Sequence, residues 1–232
     1  MRTAPWIVGI DRLTGAELHV ADVAAVKIGT ILDALLAVMK FEGDFNPAAR
    51  NASSQASGLI QFLPSTARSL GTTVDALVKM SFTEQLPYVV HYFSWWKTKL
   101  DTVERLYCAV FWPAAIDKPD DYVIARRPSA DLPKEQWTSE HKAYMQNAGF
   151  DKFGNKDGMI TRAEICRPVK AILAAAASHP RIEIPEEDAL SKEERADVLE
   201  LVSLTIQENM PDPSKVTLPD DDEPPTEPSG NA

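Results

Sequence analysis

A mostly α-helical chain is predicted by three observations. Apolar residues recur at helical spacing along much of the sequence. Helix-start signals of the form Ser/Thr-x-x-Glu stand at Ser81–Glu84, Thr161–Glu164 and Ser191–Glu194. Alternating β-branched runs, which a half-buried sheet needs, are scarce. With 232 residues, the chain can bury one sizeable core and carry an appendage.

The first predicted element starts at Asp22, read as an N-cap, and runs toward Glu42. Val23, Val26, Ile31, Leu35, Val38 and Met39 are read as one stripe. Glu42 follows Val38 by four residues and Met39 by three, so it falls on that stripe. A carboxylate on an apolar face is costly unless protonated or paired. Desolvation, helped by the negative end of a helix, raises its pKa. A carboxyl group so tuned suits general acid catalysis near neutral pH, whereas a frayed helix end would leave an ordinary surface glutamate. Asp44, two residues on, does not share a helix face with Glu42 and is read as a solvated turn residue.

A turn at Asn46-Pro47 and a Ser/Ala/Gly-rich loop lead to Gly58-Leu59-Ile60-Gln61-Phe62. Gly58 allows close approach of the backbone, and Gln61 both donates and accepts hydrogen bonds. Phe62 is read equally well as core.

Glu42-Gly-Asp-Phe-Asn-Pro47, followed by Ala56-Ser-Gly-Leu-Ile-Gln-Phe62, resembles the lytic transglycosylase and goose-type lysozyme families. Their usual pattern is Glu-Ser-x-Phe-Asn-Pro, a loop, then Gly-Leu-Met/Phe-Gln-Phe; Gly43 stands here in place of the serine. Pro64-Ser-Thr-Ala67 and Leu70-Gly71 extend the likeness, which is close over 22–71 and looser to about 123. The resemblance implies a lysozyme-like catalytic domain with Glu42 as the acid. It implies cleavage of the bond between N-acetylmuramic acid and N-acetylglucosamine in peptidoglycan, without a required cofactor. Ser57, Gly58, Gln61 and Phe62 are the implied groove residues. One carboxyl group suffices if the muramoyl C6 hydroxyl closes on C1, unlike the usual two-carboxylate scheme.

Ser81-x-x-Glu84 opens a helix around 85–100 bearing Tyr88, Tyr92, Phe93, Trp95 and Trp96, aromatic residues read chiefly as core. Next, Tyr107 lies where the family supplies a tyrosine from an Ala-Tyr-Asn-Ala-Gly motif, although Asn-Ala-Gly is absent here. By that resemblance Tyr107 joins the substrate-binding set. Leu106-Tyr-x-Ala-Val-x-x-Pro-Ala-Ala115, with Lys118-Pro-Asp-Asp-Tyr-Val123, looks like bacteriophage members of the superfamily.

The stretch from Asp151 to Glu164 resembles an EF-hand loop in its second half, Asp-Gly-x-Ile followed by Glu. Its first half departs, because the first ligand position counted back from Glu164 is Phe153. Asp151, Asn155, Asp157 and Glu164 are the candidate ligands for a structural calcium ion. The competing reading makes Thr161–Glu164 a capping box and Asp157-Gly158 a turn.

Charge is uneven. Glu183 to Ala232 holds fifteen acidic and three basic residues, a net −12 against −10 for the chain, so residues 1–182 sum to +2. A helix is predicted at about 192–209, with Val198, Leu201, Val202 and Ile206 on one side. Pro211 to Ala232 has the composition of a disordered acidic tail. The absence of a basic patch argues against a nucleic-acid partner. Without an apolar run of eighteen residues, no membrane span is expected, and no signal-peptide pattern opens the sequence. Cys108 and Cys166 lack metal or redox spacing and are read as buried free thiols.

The expected organisation is a lysozyme-like transglycosylase domain at 1–125, a helical extension at 126–182 containing helices around 136–147 and 161–178, and an acidic helix and tail at 183–232. The expected setting is a phage virion, docked to other tail proteins, or the host cytoplasm before release as an endolysin. A hydrolase and a non-catalytic, lysozyme-like virion protein are the alternatives.

Overall fold

The computed structural model describes residues 2–96 and 98–203. It is about 55% helical. In chain order it contains β1 (Arg2–Ala4), α1 (Gly15–Ile28), α2 (Leu32–Gly43), α3 (Pro64–Ser69), α4 (Val74–Leu77), α5 (Phe82–Phe93) and α6 (Val103–Phe111). These are followed by β2 (Val123–Arg126), α7 (Ser139–Asn147), α8 (Gly149–Lys152), β3 (Met159–Thr161), α9 (Arg162–Ala176), β4 (Ile182–Ile184) and α10 (Lys192–Ser203). The expected helices are present, and their capping boxes at Ser81–Glu84 and Thr161–Glu164 make both reciprocal bonds. The predicted helix at 192–209 is seen to Ser203; Ile206 and the acidic tail lie outside the described residues.

The single stripe starting at Asp22 does not hold. Asp22 lies inside α1, whose N-cap is Thr14, bonded reciprocally with Glu17. Gly29, at φ 81°, ends α1 in a left-handed turn, and α2 begins three residues later. Val26 and Ile31, assigned to the stripe, are 69% and 57% exposed. The signals for two helices were Thr14-x-x-Glu17 and Gly29.

Helix α2 is buried nearly all round, from Leu32 through Ala34–Met39 to Glu42 and Gly43. A helix apolar on every side belongs at the centre of a fold. Helices α1, α6 and α9 pack on it. Thus the stretches expected as separate parts at 1–125, 126–182 and 183–232 share one core as far as they are described. Helix α9 fits against both α2 and α6, while α10 lies on α1 and α5. Arg162 fixes the start of α9: its guanidinium donates to the Ala115 carbonyl at 3.0 Å and to Asp120 at 2.5 Å.

Strand β1 pairs antiparallel with β4, Thr3 opposite Glu183. Arg181 locks this corner, donating to Thr3 Oγ1 and O and reaching both carboxylate oxygens of Asp33. Nδ1 of His19 lies 2.9 Å from the Pro185 carbonyl oxygen. Strands β2 and β3 form a second antiparallel pair, bulged between Val123 and Ala125. Among the described residues, no helix is long and apolar enough to cross a membrane.

Candidate active site

Glu42 sits in the last turn of α2 and is 8% exposed. Burial pushes its carboxyl up to about pKa 8 from 4.5, and Tyr107 opposes that rise. No second carboxylate contributes among the described residues. Asp44 is turned outward and ion-paired with Lys40 and Arg12. Partial burial works against the charge of Asp44, but those two cations hold it below the usual carboxylate range. Its reading as a solvated turn residue agrees with this placement. A protonated acid and an ionised neighbour thus stand two residues apart, separated by environment alone.

Directly after Glu42 the chain reverses in an uncommon way. Asp44 and Phe45 both take positive φ, 53° and 60°. Two consecutive non-glycine residues in that region carry strain that the surrounding contacts must hold. The Asp44 amide donates to the Lys40 carbonyl, that of Phe45 to Met39, and that of Asn46 to Gly43.

The segment 57–62 lies against this reversal. A Cβ on Gly43 would fall 2.8 Å from the Gly58 carbonyl oxygen and 3.3 Å from that of Leu59. A serine at this place would force the backbone of the facing loop to shift. Ser57 and Phe62 exchange both backbone hydrogen bonds, closing a tight turn in which Gly58 has φ 84° and Gln61 φ 53°. The Gln61 side chain donates to the Gly58 carbonyl at 3.1 Å. Arg50 braces the turn from outside, donating to Ser57 Oγ at 3.1 Å and pairing with Asp75.

The proposed groove residues occupy different layers of this site. Gln61 is partly exposed at the loop. Gly58 contributes backbone. Ser57 is fully buried and its hydroxyl donates to the Gln55 carbonyl. Phe62 is buried, edge-on to Tyr92 at 6.1 Å, so its side chain supports the turn from beneath. Tyr88, Trp95 and Trp96 pack partly buried against the core, with Tyr92 and Phe93 within it.

Tyr107 from α6 reaches Glu42. Its ring is wholly buried, stacked on Phe111 at 5.9 Å and edge-on to Phe41 at 5.5 Å. Its hydroxyl is near enough to the carboxyl to favour the charged form, yet makes no hydrogen bond of standard geometry. Burial, and then the charge of Glu42, hold the phenol well above its ordinary pKa. Tyr92, from α5, is raised by burial and by Glu42 in the same way, and its hydroxyl donates to the Ala109 carbonyl at 2.7 Å. Tyr92, which the sequence reads chiefly as core, is thus a neighbour of Glu42.

The candidate metal loop is engaged with protein donors. Asp151 is buried, accepting from the Tyr144 hydroxyl at 2.5 Å, the Arg127 guanidinium at 3.1 Å and the Gly158 amide. Burial opposes ionisation of Asp151, but these donors hold its pKa below the usual range. Glu164 completes the Thr161 capping box and accepts from the Asn155 amide. Asp157 caps its own turn, with Asn155 and the Met159 amide donating to it. Among the described residues, no three His, Cys, Asp or Glu side chains are grouped to hold a metal ion. Cys108 and Cys166 are buried free thiols with sulfurs 3.7 Å apart, joining α6 to α9.

No curated protein and no solved structure matches the chain. Residues 20–85 match the Transglycosylase SLT domain family, which supports placing the segment that carries Glu42 and the 57–62 turn in the lytic transglycosylase and lysozyme-like superfamily, with a peptidoglycan-degrading function of that type.

Proposed function

We propose that the chain is a peptidoglycan lytic transglycosylase in which Glu42 is the only acid and base. The observation that carries this reading is the buried carboxyl of Glu42, raised to about pKa 8, at the junction of α2 with the 57–62 turn. At neutral pH it holds a proton. That proton passes to the glycosidic oxygen between N-acetylmuramic acid and N-acetylglucosamine as the bond to C1 breaks. The resulting carboxylate then takes the proton of the muramoyl C6 hydroxyl while its oxygen bonds C1. The products are a 1,6-anhydromuramoyl end and a free N-acetylglucosamine hydroxyl, with Glu42 again protonated. The Tyr107 hydroxyl faces the carboxyl and favours the charged state through which it passes. Gln61 and the Gly58 backbone are the groove contacts to the glycan, with Ser57 and Phe62 fixing the turn.

The test is mass spectrometry of purified sacculi digested with wild type and with Glu42→Gln. Anhydromuropeptides from the wild type and none from the variant are expected. Reducing ends in their place would make the enzyme a hydrolase, and unchanged release by Glu42→Gln would remove Glu42 from the chemistry. The likeness of 106–123 to phage members supports a virion-borne enzyme. Detection of the chain in purified particles tests that setting.

A further inference from the structure

Gln85, in the first turns of α5, is a wholly buried polar side chain not used in the mechanism above. Its amide nitrogen donates to two carbonyl oxygens, those of Pro47 and Leu77, each at 2.7 Å. Its carbonyl oxygen accepts from the Leu59 amide at 3.0 Å. One side chain thereby joins the reversal after Glu42, the 57–62 turn and the end of α4. The site is shaped around it: a Cβ on Gly58 would fall 2.5 Å from the Gln85 oxygen. Without Gln85, the Leu59 amide and the Pro47 carbonyl lose the partner it gives them, while the Leu77 carbonyl keeps the Met80 amide. On the far side of that turn, the Gly58 and Leu59 carbonyls press on Gly43, next to the acid.

We infer that Gln85 is a positioning residue for Glu42, acting through the turn that it ties down. It does not touch the reacting atoms. Its three bonds hold Leu59 and Gly58 against the end of α2, which keeps water from the carboxyl of Glu42. The turn itself has no titratable side chain, so its influence on the acid is exclusion of solvent rather than charge. The titratable groups that face Glu42 are Tyr107 on α6 and Tyr92 on α5. His19 on α1 is engaged with Pro185, and Cys166 on α9 with Cys108. On α2 itself, Lys40 pairs with Asp44.

The inference rests on the reading of Glu42 as the acid, but its test does not need turnover. The ¹³C carboxyl signal of Glu42 is followed through a pH titration in full-length wild type and in Gln85→Met, with the fold checked by circular dichroism. The wild-type midpoint is expected near 8. In Gln85→Met it falls by about one pH unit or more, as water reaches the carboxyl. On sacculi, kcat falls about tenfold or more, KM changes little, and the high-pH limb moves with the midpoint. An unchanged midpoint in folded Gln85→Met overturns the inference, whatever happens to activity. Absence of turnover by the wild type counts against the proposed function alone, since the titration still decides the role of Gln85.

If Gln85→Met does not fold, Gln85→Glu takes its place. Protonated, this side chain still donates to one carbonyl and accepts from Leu59; ionised, it faces two carbonyl oxygens with no proton to give. The Leu59 amide is then expected to stay protected at pH 5. At pH 8, after correction for intrinsic exchange, it should exchange about tenfold faster or more. Equal protection at both values overturns the inference.

Discussion

The Gly58 carbonyl oxygen occupies the space a side chain on residue 43 needs, 2.8 Å from where its Cβ would lie. Helix α2 and the 57–62 turn can therefore close only over a glycine. Gly43→Ser, which restores the residue usual in the resembled families, must push the turn away. The expected result is a loss of about 1–3 kcal/mol in a denaturant melt, the range for overpacking a tight contact. Glycan cleavage should fall with it. Gly43→Ser with undiminished stability and activity would show that the turn yields freely.

Glu42→Gln should separate catalysis from stability. Loss of the acid lowers turnover by about 10²–10⁴. The same variant should be the more stable protein at alkaline pH. Burial keeps the folded carboxyl protonated up to about 8, against 4.5 for the free group. Between those values the folded state binds the extra proton, so wild-type stability is greatest below 4.5 from this group and falls as pH rises toward 8. At about 1.4 kcal/mol per pH unit, the fall amounts to a few kcal/mol. Thermal melts of both proteins from pH 5 to 9 measure it; parallel curves would contradict a buried acid.

Tyr107→Phe leaves the ring packing on Phe41 and Phe111 and removes only the hydroxyl. Because that hydroxyl lacks a standard hydrogen bond, stability should change by less than about 1 kcal/mol. Turnover should fall by about a hundredfold, the order seen when one preorganised donor is lost. The Glu42 midpoint should rise further, since the group that favours its charged form is gone. A Tyr107→Phe enzyme of full activity would make the residue simply core.

The placement of Glu42 and of the turn was legible because both depend on local order: a glutamate at a helix end, then Gly58 to Phe62 in sequence. The capping boxes were legible for the same reason. Thr14, Glu17 and Gly29 mark the break between α1 and α2, but the apolar residues on both sides of it also fit one extended stripe. Tyr92 and Gln85 were hidden, since each acts across tens of residues that only the packing of α5 brings to the site. In the 151–164 loop, carboxylate spacing suggested a metal; Arg127, 24 residues before Asp151, supplies positive charge there, and no spacing rule foresees it.

Cys108 and Cys166 should both resist alkylation in the native protein and both react once denatured. Their sulfurs are 3.7 Å apart inside the α6–α9 contact, and both are buried. Mass spectrometry after iodoacetamide treatment counts the adducts. One adduct on native protein would mean that this contact opens readily.

Residues 1–125 expressed alone should not give a cooperative melt, since α2 and α6 would lose α9 and β1 would lose β4. A sharp thermal transition from that fragment would show that the amino-terminal part is self-sufficient.

The pairing of Thr3 with Glu183 also sets a timetable for biosynthesis. The opening strand leaves the ribosome about 180 residues before its mate, at roughly 5–20 residues per second, so it waits many seconds unpaired. The growing polypeptide cannot seal its own interior during that interval. Completion of that interior accordingly waits for the segment around Glu183, and a product terminated before it lacks the pairing that closes this corner.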